Sequence, residues 1–71
     1  MAVIGKIINE SGEIKERAGE VVADVIINKN IFQLRTYAMG DDNRENGSKQ
    51  NIQLNIDNAV ELRELLDKFI G

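Results

Sequence analysis

The clearest periodicity lies in the last third of the chain. The segment DNAVELRELLDKFIG sets Leu62, Leu65, Leu66, Phe69 and Ile70 at helical spacing, with Glu61, Arg63, Glu64, Asp67 and Lys68 on the other side. The spacing predicts an amphipathic helix over 58–70, with Asp57 or Asn58 as its N-cap. Acids then fall toward the positive end of the dipole and Lys68 in the last turn. With Val60 near its start, the apolar stripe is wide enough to serve both a core and an interface between helices.

Upstream the period changes to two. In NIQLNI, Ile52, Leu54 and Ile56 alternate with Asn51, Gln53 and Asn55, as in a strand over 50–56 with one face buried. IFQLRTYA alternates over 31–39, with Phe32, Leu34, Thr36 and Ala38 on one side and Ile31, Gln33, Arg35 and Tyr37 on the other. The β-branched run GEVVADVIIN predicts a further strand, placed over 13–27. NKN at 28–30 is a turn signal, because Asn tolerates the left-handed backbone of tight turns. AVIGKII predicts a first strand over 2–9, with Gly5 at a bulge. EIKERAG fits either a continued strand or a helical turn.

The pattern thus predicts a single α+β domain of four strands, a hairpin loop at 40–49 and a C-terminal helix. The strands are expected to be antiparallel, because the connections look too short for crossovers. One helix can cover only one face of such a sheet, yet Val22, Ile26, Ile31 and Tyr37 point to the other. An apolar set there calls for a partner, most simply a second copy of the chain.

Composition narrows the chemistry. With 71 residues, two Phe, one Tyr and no Trp, the core is thin, and oligomerisation is one usual remedy. Without Cys there is neither a disulfide nor a thiolate metal site, and without His the commonest acid-base group is missing. The expectation is therefore not an enzyme, with no cofactor and no small-molecule substrate. MAVIGKIINE is too short an apolar run for a signal sequence, and nothing approaches the ~20 apolar residues of a membrane span. An intracellular protein, in the cytoplasm or nucleoid and without a membrane partner, is expected. A net charge of −3 does not advertise a polyanion ligand, although a local basic face can coexist with an acidic helix.

The loop acids Asp41, Asp42 and Glu45 invite a metal reading, but they lack the ligand spacing of a calcium-binding loop, and no metal site is assigned. Neither GDDNRENG nor GEIKERAGE has phosphate-cradling spacing. Both read as turns.

The order of parts resembles the transcriptional positive cofactor four family, single-stranded-DNA-binding transcriptional coactivators. The resemblance rests on Leu34, Arg35 and Tyr37, then GDDNRENGSK, then Ile52 and Leu54, then the helix from Asn58, and it spans residues 20–70. It implies a curved four-stranded antiparallel sheet followed by one helix, dimerising through helix residues Leu62, Leu65, Leu66, Phe69 and Ile70. Single-stranded DNA or RNA would cross the paired sheets, with bases stacked on aromatics and phosphates held by cations. Tyr37 would then stack, Arg35 would meet phosphate or base, and Lys29, Arg44 and Lys49 would add phosphate contacts. The chain departs from the family at Ala38, where a further aromatic is usual, at Ile26, and in its net acidic loop. Weak, salt-dependent binding is the expectation. The alternative is a small protein-interaction or structural module of a phage or mobile element, in which Arg35 and Tyr37 are an ordinary surface pair.

Overall fold

The computed structural model describes residues 2–71. Strands β1 (Ala2–Ile4), β2 (Ala23–Ile27), β3 (Phe32–Thr36) and β4 (Gln50–Leu54) precede helix α1 (Ile56–Ile70). They form one four-stranded sheet in the order β1-β4-β3-β2. The fold is α+β, as the periodicities predict.

The β2–β3 hairpin follows from its turn. The Asn28 side chain accepts hydrogen bonds from the backbone N–H groups of Asn30 at 3.0 Å and Ile31 at 2.8 Å. The Asn28 N–H donates to the Ile31 carbonyl at 3.0 Å. This closed turn fixes the register that sets Ile27 opposite Phe32 and Asp24 opposite Arg35. Strand β4 then pairs antiparallel with β3, with Ile52 opposite Leu34.

The expectation of a wholly antiparallel sheet is corrected at β1, which pairs parallel to β4 with Ala2 opposite Ile52. β1 and β2 lie at opposite edges, and residues 5–22 form a connection long enough to run back across the sheet, so β1 can enter parallel to β4. Three strand spacings, about 14 Å, separate the two edge strands, a distance that residues 5–22 cover easily. The first two strands are also shorter than expected, since residues 5–22 adopt neither strand nor helix. Val21 and the residues before it have no strand beside them to pair with. The ladder does run one step past β2, where the Tyr37 N–H donates to the Val22 carbonyl at 3.1 Å.

Helix α1 begins two residues earlier than its apolar stripe suggests. The N-cap is Asn55, whose side chain accepts from the Asn58 N–H at 2.9 Å, and not Asp57 or Asn58. Asn58 is buried and its amide is used elsewhere, donating to the Ile4 carbonyl at 2.8 Å. The helix start and the short β1 are thereby locked together. Gly71 closes the other end in a left-handed conformation, its N–H donating to the Asp67 carbonyl at 3.0 Å.

Ala59, Leu62 and Leu66 of α1 line one groove with Phe32 and Leu54, so the helix lies over the row of Leu54 and Phe32. The next row on that face, Ile52–Leu34–Val25, stays 43%, 37% and 46% exposed. Apolar surface thus lacks a cover on the helix side of the sheet, while Ile26 and Val3 stay exposed on the other face. Of the four residues expected to supply it on the other side, only Ile26 is exposed, and Tyr37 is buried. Among the described residues, the buried hydrophobic side chains are Tyr37 and Leu54. The accessible surface of 6314 Å² exceeds the roughly 4,400 Å² of a compact monomer of this mass. The radius of gyration, 13.9 Å against roughly 11 Å, agrees.

Candidate nucleic-acid interface

On the sheet face away from α1, pleating and register bring Asp24 of β2 beside Arg35 of β3, and Tyr37 follows one side-chain repeat later. The pair is bidentate. Arg35 Nε donates to Asp24 Oδ1 at 2.7 Å and Nη2 donates to Oδ2 at 2.8 Å. Oδ2 also accepts from the Tyr37 hydroxyl at 2.8 Å and from Arg44 Nη1 at 2.9 Å. The Arg35 guanidinium carbon lies 5.9 Å from the Tyr37 ring centroid, in cation–π range.

One carboxylate therefore gathers a phenol and two guanidiniums. The Arg35 bonds hold the Asp24 carboxyl far below the usual carboxylate range, with help from Tyr37 and Arg44 and against an opposing effect of burial. The bond to Asp24 raises the pKa of Arg35 in turn. The same carboxylate, with burial, raises that of the Tyr37 hydroxyl, which stays protonated.

Arg44 reaches this cluster from the segment between β3 and β4. There the Asp41 carboxylate accepts from the backbone N–H groups of Glu45 at 2.9 Å and Asn46 at 3.1 Å, and the Asp41 carbonyl accepts from the Arg44 N–H at 3.2 Å. The backbone passes Arg44 itself at φ 58°, a left-handed conformation uncommon outside glycine. Asp41 thus organises the loop that presents Arg44. Beside Arg35 on the sheet, Gln53 Nε2 donates to Gln33 Oε1 at 2.6 Å, and the Ser48 hydroxyl donates to Asn51 Oδ1 at 3.1 Å.

The five expected nucleic-acid contacts divide. Arg35, Tyr37 and Arg44 converge, and Lys49 stands at the foot of β4, its N–H donating to the Thr36 carbonyl at 2.7 Å. Lys29 does not join them. It sits in the turn at the other end of the β2–β3 hairpin, more than about 13 Å away along β3. Tyr37 is brought in but not as an open stacking surface, because it is 5% exposed and its hydroxyl is bound to Asp24. Of the expected helix interface residues, Leu62 and Leu65 are half-buried, while Leu66, Phe69 and Ile70 are exposed.

Asp24, which the sequence reading does not place in the site, is the residue around which the cluster gathers. Its signal is a lone acid inside VVADVII, which needs a cationic neighbour if its strand is to be half-buried. Among the described residues, no group of three or more His, Cys, Asp or Glu is placed to hold a metal ion, and no helix is long and apolar enough to cross a membrane. No family model, curated protein or solved structure matches the chain.

Proposed function

We propose that the chain is a homodimer that binds single-stranded nucleic acid on the sheet face opposite α1, in the manner of the positive cofactor four family. The observation that carries this reading is the division of the sheet. One face is an apolar row left open beside the helix, and the other carries a polar strip of Arg35, Gln33, Gln53 and Asn51 along β3 and β4, flanked by the exposed Ile26 and Val3 and with Arg44 and Lys49 at its margin. Two copies burying the open rows and the exposed ends of α1 would cover apolar surface that the helix leaves bare in one chain. Sheets paired through their helix-side rows leave both polar faces turned outward, away from the interface. Amide and guanidinium donors there would meet phosphates and base edges, with limited sequence preference. A role in transcription or DNA maintenance follows from the family resemblance.

A second reading, a protein-interaction module, is favoured by one observation. Asp24 occupies both donor positions of the Arg35 fork that face it, and the loop acids outnumber Arg44 and Lys49.

Fluorescence anisotropy with a labelled single-stranded oligonucleotide at low salt separates the two. Wild type should bind, and Lys49→Ala should weaken binding and lower the slope of log K against log salt by about 0.7, the share of one phosphate contact. No binding by wild type would sink the nucleic-acid reading in favour of the protein module.

A further inference from the structure

Both guanidiniums of the candidate interface point at an internal anion. Asp24 is itself only 14% exposed in its side chain and is fixed from three sides, whereas Arg44 is 52% exposed and comes from a loop. The Arg35 pair is bidentate and lies within the sheet, between directly opposed residues. The Arg44 bond is single and bridges from the loop to β2. The two attachments are unequal, so an incoming anion would compete first for Arg44.

Resting on the polyanion reading of this face, we propose that Asp24 is an internal competitor for phosphate, and that Arg44 is a latch which leaves Asp24 for a ligand phosphate when a polyanion binds. Arg35 then stays on Asp24 and presents its remaining N–H groups, two on Nη1 and the second on Nη2. A phosphate placed within reach of both arginines lies close to the Asp24 carboxylate, and such like-charge juxtaposition weakens binding. Asp24 thereby sets the affinity low and makes it depend on ligands with enough neighbouring phosphates to hold the latch open.

The test uses the full chain and two probes, a labelled oligothymidylate and inorganic polyphosphate. Asp24→Asn keeps the side-chain shape and an acceptor for Tyr37 but removes the charge. It should bind both probes at least about tenfold more tightly than wild type. Tighter binding of polyphosphate alone would support the competitor while counting against nucleic acid as the ligand, so the two ideas fail separately. Equal or weaker binding of both probes by a folded Asp24→Asn variant, judged by circular dichroism, would overturn the proposal. So would the absence of binding in both proteins. Should that variant fail to fold, arginine side-chain NMR of wild type decides: the Arg44 guanidinium resonances should move on adding polyphosphate while those of Arg35 move less. Unmoved Arg44 resonances would overturn the latch.

Discussion

Replacing Asn58 by Ala tests how the sheet is held together, because one amide joins the helix start to the edge strand. Asn58 is 8% exposed, and its Nδ2 donates to the Ile4 carbonyl at 2.8 Å. Its own backbone N–H is satisfied by Asn55, so the cap survives the change. What is lost is the donor to a carbonyl at the end of a three-residue strand. A buried acceptor left without its partner costs about 1–3 kcal/mol. For a domain of this size, each kcal/mol moves the midpoint of thermal unfolding by about 4–8 °C. Asn58→Ala should therefore lower that midpoint by roughly 8–16 °C, taking about 2 kcal/mol as the central value. Asn58→Asp, which turns an acceptor toward the carbonyl, should be worse. The assay is thermal and urea unfolding at one fixed protomer concentration, since association adds its own stability. Amide exchange should lose protection first in β1 and along the outer edge of β4, leaving the β2–β3 hairpin protected. A change under about 0.5 kcal/mol, or an even loss of protection over all four strands, would refute the argument.

Leu34→Lys places a charge in the middle of the open row and should raise the dimer dissociation constant by more than about tenfold while preserving the circular dichroism spectrum. Sedimentation that shows unchanged association would remove this row from the interface. The single tyrosine gives an isolated spectroscopic probe. Its raised pKa means that the contribution of the Tyr37–Asp24 bond to stability is complete below the ordinary value of about 10 and fades as pH rises through the folded value. Alkaline absorbance titration should thus give a midpoint above that of the urea-unfolded chain, and Asp24→Asn should bring it down. Coincident midpoints for folded and unfolded wild type would contradict the buried hydroxyl.

The helix, β3 and β4 were legible because each carries a clean period, and the turn at Asn28 because Asn supplies its own acceptor. The pairing of Asp24 with Arg35 was hidden by a single residue. Reading the turn as the three residues NKN would set Ile27 opposite Ile31 and Asp24 opposite Leu34. The observed turn includes Ile31, and that one step carries Asp24 onto Arg35. The direction of β1 was not legible at all, since alternation is the same for parallel and antiparallel neighbours. Tyr37 failed for a related reason: its position in the alternation assigns its face, while its surroundings include an acid from another strand to which a loop arginine is also bound. The latch residue Arg44 lay in plain view in the loop, but only the folding of that loop around Asp41 aims it.

The parallel seat of β1 also imposes an order on assembly during synthesis. The strand leaves the ribosome ahead of its partners, since its place is the outer edge of β4 and its lock is Asn58, both of which follow it by more than forty residues. The two hairpins can close locally as they emerge, whereas β1 must wait for a long-range closure. During that wait an equivalent seat is offered by any second chain at the same stage. Two chains finishing together can therefore exchange their first strands with every contact preserved, an outcome built into where this sheet keeps its beginning.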